Sequence, residues 1–173
     1  MPVENELKFV LSDDTSPVTL SGWKKIEIRQ GYLDGGPRIR QYGDKLIFTY
    51  KRWIDRLDNL IEIETTLSRD DFEALWPDCT NLIIKDRYVL HDNNCEWVVD
   101  FLKDKNGAPY FILAEVEMPE NMDQPEIIPR EIRDHIIFSA PKGSKDFTNK
   151  RLSDIEYART LLHKIKNGQS EKE

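Results

Sequence analysis

The sequence predicts a mainly β fold with a small α component (α+β), built as an antiparallel meander that can close into a barrel. Charged residues recur at every second position of segments that are otherwise apolar, which is the spacing of an extended strand. Short turn sequences join these segments, and short connections imply antiparallel neighbours. Only two segments have helical spacing, so we expect helices to be few and peripheral.

Four turn sequences divide the middle of the chain into hairpin-like units. They lie at 34–37, 42–45, 91–94 and 105–107, and each contains Gly, Asn or Asp at positions that tolerate a left-handed backbone. We therefore predict successive strands on either side of each turn.

Two helices are predicted from their start and stop signals. Ser68 is an N-cap residue followed by an acidic first turn, and Pro77 ends that helix. The sequence 153–156 has the form of a capping box, and apolar residues follow it at helical spacing as far as Gly168. We interpret that apolar stripe as core packing. Residues 134–138 predict one further strand.

Length and composition predict a single cytoplasmic domain over residues 1–168, followed by a disordered tail at 169–173. No apolar run approaches the roughly 18 residues of a membrane span, and the charged start does not resemble a signal peptide. Cys79 and Cys95 are far apart, and their spacing with His91 fits no standard zinc site, so we expect structural, reduced thiols. The net charge of −7 argues against a nucleic-acid partner.

The N-terminal segment carries the first charged stripe. In an extended chain Glu4, Glu6 and Lys8 share one face, while Leu7 and Phe9 lie on the other. Taken alone, such a stripe is most often the solvated face of an antiparallel sheet.

Recurrence favours a different interpretation. Like charges side by side on a solvated sheet are unfavourable, yet several strand-like segments carry a pair of one sign. An inward-facing charged lumen explains this better, because carboxylates bind metal cations and basic residues bind a polyanion. The pairs are Arg38 and Arg40, Glu62 and Glu64, Lys85 and Arg87, and Glu115 and Glu117, and single charges occur at Lys51 and Asp100.

These elements together resemble the CYTH family, the triphosphate tunnel metalloenzymes, and are most similar to its small bacterial tripolyphosphatases. The resemblance implies an eight-stranded, closed antiparallel β-barrel whose tunnel holds a triphosphate and divalent metals. The sequences that carry it occur in this order: E-x-E-x-K at 4–8, Q-G-Y-L at 30–33, R-I-R at 38–40, T-Y-K at 49–51, E-I-E at 62–64, K-D-R-Y at 85–88, W-V-V-D at 97–100 and A-E-V-E at 114–117, with a weaker tail at 147–149 and Leu152.

Roles for individual residues follow from the resemblance. The implied catalytic residues are Glu4, Glu6 and Glu117. The implied cofactor is Mg²⁺ or Mn²⁺, two ions per active site, held by Glu4, Glu6, Glu62, Glu64, Asp100, Glu115 and Glu117. The implied phosphate-binding residues are Lys8, Arg38, Arg40, Lys51, Lys85 and Arg87. The chain departs from the family pattern at Val98, at 131–133 and in a longer segment up to Lys145.

The function predicted in this way is metal-dependent hydrolysis of a triphosphate, with inorganic tripolyphosphate giving pyrophosphate and phosphate. Alternatives within the family are an adenylyl cyclase of class IV type, a thiamine triphosphatase and a nucleoside triphosphatase. An alternative of another class is a non-catalytic polyphosphate- or nucleotide-binding module. Because charges in the lumen would leave apolar strand faces outside, we also expect a homodimer formed through an outer sheet face.

Overall fold

The computed structural model describes residues 5–170, with side chains for 5–168. Within this range the chain forms nine strands and four α-helices. The strands are β1 (Glu6–Leu11), β2 (Lys24–Tyr32), β3 (Arg38–Tyr42), β4 (Lys45–Ile54), β5 (Asn59–Thr66), β6 (Thr80–Asp92), β7 (Cys95–Lys103), β8 (Pro109–Glu117) and β9 (Ile136–Ser139). The helices are α1 (Arg69–Leu75), α2 (Arg130–Arg133), α3 (Asn149–Leu152) and α4 (Ile155–Ser170), with 3₁₀ turns at Pro17–Leu20, Asp55–Leu57 and Trp76–Asp78.

The mainly β prediction is confirmed, but the closed eight-stranded barrel is not. Among the described residues the strands form one antiparallel sheet in the order β5-β4-β3-β2-β6-β7-β8-β1-β9, and this sheet is not closed. The physical reason lies at β1, which pairs with β8 on one edge and with β9 on the other. Both of its edges are therefore already hydrogen-bonded, and the ninth strand occupies the edge that a closing partner would need.

Contacts divide the chain into two compact units, which we call unit 1 (1–26 and 85–173) and unit 2 (27–84). In unit 1 the central strands have one apolar face. Leu7, Val116 and Trp97 lie opposite one another on neighbouring strands, and directly paired residues project to the same side of a sheet. This side carries the main core, whose largest fully buried side chains include Trp97 and Phe101.

In unit 2 the core lies between the sheet and α1. Ile39, Leu46, Phe72 and Cys79 form it, and the first two come from neighbouring strands. Gly31 lies close to Cys79 of this core, since a Cβ at Gly31 would be 2.6 Å from the Cβ of Cys79. A glycine at this position therefore permits the packing distance.

Helix α1 begins as predicted. The Ser68 side chain accepts a hydrogen bond from the Asp71 backbone N–H at 3.0 Å, which satisfies one of the unpaired donors of the first turn.

The predicted start of the C-terminal helix is wrong by one residue. Asp154, and not Ser153, caps α4, because its carboxylate accepts a hydrogen bond from the Tyr157 backbone N–H at 3.1 Å. Ser153 instead ends α3 and donates to the Lys150 carbonyl at 2.5 Å. The apolar stripe is confirmed, with Ala158 and Ile165 buried, and α4 continues beyond Gly168 to Ser170.

Cys79 and Cys95 are both buried free thiols. Burial raises the pKa of each above its ordinary value, which disfavours the reactive thiolate. Among residues 5–170, no helix is long and apolar enough to cross a membrane.

Candidate functional site

Unit 1 carries a charged surface on the side of the sheet opposite its core. Glu6 on β1, Glu117 on β8 and Glu96 on β7 are directly paired in register, and so are Lys8 and Glu115. Because paired residues project to the same side, all five share one face. We call this set, Glu6, Lys8, Glu96, Glu115 and Glu117, the acidic face.

Part of the acidic face is enclosed. The side chains of Lys8, Glu115 and Glu6 are 20%, 21% and 32% exposed, whereas an ordinary solvated strand face leaves such long side chains largely in water. Glu117, at the end of β8, is exposed. The interpretation of the acidic face as a plain solvated surface therefore fits Glu117 but does not fit Lys8, Glu115 and Glu6.

Lys8 lies between two carboxylates of the acidic face. Its Nζ is 3.3 Å from Glu6 Oε1 and 3.9 Å from Glu115 Oε1. Burial raises the pKa of the Glu115 carboxyl, and the negative charges of Asp100 and Glu6 act in the same direction. The positive charges of Lys8 and Lys85 oppose this rise. The ionised form of Glu115 thus depends on nearby cations.

Next to the acidic face, four polar side chains form what we call the buried ion cluster: Lys85, Arg87, Asp100 and Asn149. Asp100 accepts from Lys85 Nζ at 2.6 Å and from Nε and Nη2 of Arg87, both at 2.8 Å. The ammonium of Lys85 also donates to Asn149 Oδ1 at 3.1 Å. The side chains of Lys85 and Asp100 are 0% and 2% exposed, whereas Arg87 retains 15%.

Charge pairing holds the carboxylate of Asp100 in its ionised state. Burial acts to raise the pKa of Asp100, but Lys85 and Arg87 outweigh it through charge and hydrogen bonding and lower the pKa to about 2. Burial lowers the pKa of the Lys85 ammonium, and the negative charge of Asp100 opposes that effect. The carboxylate of Asp100 therefore pairs with two cationic side chains while it is almost fully shielded from solvent.

This geometry bears on two of the predicted roles. Asp100, predicted as a metal ligand, accepts three hydrogen bonds from cationic side chains of the chain itself. Lys85, predicted to bind phosphate directly, has no exposed side-chain surface. Arg87 is the partly exposed cation of the cluster, so it is the member best placed to meet a ligand.

Unit 2 carries a second charged surface, which we call the arginine face. Register places its members on one side of β3, β4 and β5, opposite the side that packs on α1. They are Arg38, Arg40, Thr49, Lys51, Glu62 and Glu64.

Exposure divides the arginine face into two parts. Arg38 and Arg40 are half-buried, and the guanidinium of Arg40 lies 5.2 Å from the centre of the Tyr42 ring. Lys51 and Glu62 are 52% and 37% exposed and pair with each other at 3.3 Å, as ordinary surface residues do. The arginine pair is thus the part of this face that resembles a binding surface.

The donor chemistry of the acidic face fits a hard divalent cation. Carboxylates from neighbouring strands supply the oxygen ligands that Mg²⁺ and Mn²⁺ prefer, and Glu6 directly opposite Glu117 is a like-charge pair that a cation would stabilise. In the described part of the chain, no group of three acidic, His or Cys side chains is already arranged around a common metal position. Glu4, a predicted catalytic residue and metal ligand, lies outside the described residues.

Two residues of these clusters were missed by sequence reasoning. Glu96 is in strand phase with Asp100 on β7, so the alternation that singled out Asp100 would also have found it. Asn149 lies in the weaker tail of the resemblance at 147–149, but no role followed for it, because an amide in a short helical segment has no charge pattern that connects it with Lys85, 64 residues away.

Comparison with known proteins identifies similar solved structures. The hypothetical protein NE1496 aligns with a TM-score of 0.64 at 24% sequence identity, over 87% of this chain and 97% of that chain. The PH1012 protein from Pyrococcus horikoshii OT3 gives 0.46 at 17% identity, over 70% and 81%. A candidate adenylate cyclase (bh2851) from Bacillus halodurans gives 0.44 at 16% identity, over 70% and 82%. No protein-family model and no curated protein matches the sequence. The likeness to NE1496 shows a shared fold.

Proposed function

We propose that this chain is a divalent-metal-dependent hydrolase of the CYTH type that cleaves a triphosphate, with inorganic tripolyphosphate as its substrate and pyrophosphate and phosphate as products. The observation that carries the proposal is the arrangement in unit 1. Half-buried carboxylates and a lysine share one sheet face with a buried cluster in which Asp100 serves two cations. The order of the sequence motifs supports the choice of substrate class.

In this proposal the cationic side chains bind and orient the phosphates. Arg87 is fixed by two parallel hydrogen bonds to Asp100, so its guanidinium is pre-oriented and loses little side-chain entropy on binding. Lys8 adds a compact charge beside Glu6 and Glu115. On the arginine face of unit 2, Arg38 and Arg40 are proposed as phosphate-binding residues because guanidinium groups bind phosphate oxygens bidentately.

Glu6, Glu115 and Glu117, together with Glu4, would hold Mg²⁺ or Mn²⁺. A bound ion supplies neutralisation of phosphate charge and makes water a better nucleophile at neutral pH. Partial enclosure of the acidic face strengthens the attraction between its charges and a polyphosphate, since fewer waters screen them.

The test is phosphate release from tripolyphosphate, ATP, GTP and thiamine triphosphate with Mg²⁺ or Mn²⁺, beside calorimetric titration of the same compounds. We expect turnover of tripolyphosphate that depends on the metal. Lys8→Met should raise KM about tenfold or more, because a charge-assisted contact is lost. Lys24→Met is the matched control, because Lys24 is exposed on β2 of the same unit. Tight binding without turnover of any compound would favour the non-catalytic alternative, and absence of both would refute the proposal.

A further inference from the structure

Asn149 brings the C-terminal part of the chain into the buried ion cluster. Its Oδ1 accepts a hydrogen bond from Lys85 Nζ at 3.1 Å. Because the Lys85 side chain is 0% exposed, its ammonium is shielded from bulk solvent and needs hydrogen-bond acceptors in the protein interior. The hydrogen bonds described for it go to Asp100 and Asn149.

The two acceptors of Lys85 differ in charge, and this difference matters for the cluster. Lys85 and Arg87 both pair with the carboxylate of Asp100, so the side chains of the buried ion cluster together carry one positive charge, which the Glu115 carboxylate of the acidic face partly offsets. An amide satisfies a further donor of the ammonium without cancelling that charge. A carboxylate in the place of Asn149 would satisfy the same donor and make the cluster neutral.

The backbone that presents Asn149 is fixed on both sides. Before it, Phe147 is 3% exposed and packs against Phe111 and Phe138. After it, Leu152 is fully buried, and its carbonyl accepts a hydrogen bond from the Tyr110 hydroxyl at 2.8 Å. The amide is therefore held at Lys85 by a segment that cannot easily move away from β8 and β9.

Through hydrogen bonds by way of Lys85 and Asp100, Asn149 is linked to Arg87, the partly exposed cation of the buried ion cluster. Asp100 Oδ2 accepts from both Lys85 Nζ and Arg87 Nη2, and Oδ1 accepts from Arg87 Nε. A shift of the ammonium would move the carboxylate and turn the plane of the guanidinium. Hydrogen-bonded supporting groups of this kind set the orientation of groups that bind a ligand.

We propose that Asn149 is a positioning residue that holds Lys85 in place while preserving the positive charge of the buried ion cluster, so that Arg87 meets a polyphosphate with a fixed orientation and a net attraction. This inference rests on the proposed function, since it concerns how the same site selects a polyanionic substrate. In this role of Asn149, the segment from Asp146 to Leu152 contributes to polyphosphate binding as well as to packing.

The experiment compares Asn149→Asp and Asn149→Ala with the full-length wild-type chain, measuring kcat and KM for tripolyphosphate with Mg²⁺ and the urea midpoint of unfolding. Asn149→Asp should keep a urea midpoint close to that of wild type, because pairing of the new carboxylate with the Lys85 ammonium offsets its desolvation, yet its KM should rise about tenfold because the cluster loses its net charge. Asn149→Ala should lower the urea midpoint and raise KM, since Lys85 loses an acceptor. Asn106→Asp, which adds the same charge in the exposed turn between β7 and β8, is the matched control and should change neither quantity.

The outcomes separate this inference from the proposed function. If wild type turns over tripolyphosphate and Asn149→Asp keeps the wild-type KM, Asn149 has a packing role alone and the inference is overturned. If wild type neither binds nor cleaves any triphosphate, the proposed function fails and the inference fails with it. A raised KM with an unchanged urea midpoint in Asn149→Asp supports the inference, because a purely structural role would not raise KM without loss of stability.

Discussion

Replacement of Asp100 by Asn should destabilise the protein strongly. Asp100 is 2% exposed and neutralises Lys85 and Arg87 through three hydrogen bonds of 2.6 to 2.8 Å. Asparagine keeps the shape but removes the charge, and it leaves two cations without a carboxylate. Breaking a buried ion pair by removing one partner costs about 3–5 kcal/mol, a large part of the 5–15 kcal/mol that is typical of a folded domain.

The pKa of Asp100 gives an independent magnitude. A pKa of about 2 in the folded protein, against an ordinary value of 3.8, corresponds to about 2 kcal/mol of stabilisation of the ionised form. The folded pKa is depressed, so this contribution is present above about pH 4 and is lost as the pH falls through about 2. The difference in the free energy of unfolding between wild type and Asp100→Asn should therefore become smaller as the pH falls between these two values.

Urea unfolding followed by tryptophan fluorescence measures both effects, since Trp97 is buried in the core of the same unit. At pH 7 the midpoint for Asp100→Asn should fall by about 2 M, given a denaturant slope of about 2 kcal/mol per M. Asp146→Asn is the matched control, because Asp146 pairs with Arg151 at 2.6 Å but is 54% exposed, and it should change stability by less than about 1 kcal/mol. Equal midpoints for Asp100→Asn and wild type at pH 7 would refute the reasoning about the buried cluster.

Four further changes test the site and the fold. Glu6→Gln should abolish phosphate release while the circular dichroism spectrum stays that of wild type, and full activity in this variant would contradict its assignment. Arg40→Ala should chiefly raise KM for tripolyphosphate, and an unchanged KM would remove Arg40 from the phosphate-binding set. Ser68→Ala should lower the free energy of unfolding by about 1 kcal/mol because α1 loses its N-cap acceptor, and a wild-type urea midpoint would show that the cap contributes nothing. Leu152→Ala, at a fully buried position, should cost about 2–5 kcal/mol, and a loss below 1 kcal/mol would mean that the site collapses around the smaller side chain.

Local sequence patterns predicted the strands and α1 well, because the residues that determine these elements lie close together in the sequence. Alternation of charged and apolar residues located β1 and β8, and the turn residues at 42–45 and 105–107 located the hairpins. Ser68 identified the start of α1 because an N-cap side chain bonds to a backbone group only three residues away.

Long-range pairing could not be predicted in the same way. Residues 134–138 are predicted as a strand, and the structure has β9 at 136–139, but the sequence does not show that this strand would pair with the second edge of β1 and leave the sheet open. The start of α4 was missed for a related reason: Ser153 and Asp154 are both good caps, and the end of α3 engages the serine.

For the charged residues, the sequence predicted which of them lie on strands but did not predict which of them are buried. The sequence placed Glu6, Lys8 and Glu115 on strands, and the structure brings them to one face. It gave no reason to rank Asp100 above Lys51, although one is almost fully buried and the other half exposed. Burial depends on which elements cover a strand, and periodicity along that strand does not report it.

The position of β1 between β8 and β9 has a consequence for biosynthesis. During translation β1, which carries Glu6 and Lys8, is made well before β8 and β9, the strands to which it hydrogen-bonds. Until then β1 exposes two unpaired strand edges of alternating apolar residues. A nascent or truncated chain that stops before β8 would therefore be prone to aggregation at its N-terminal strand.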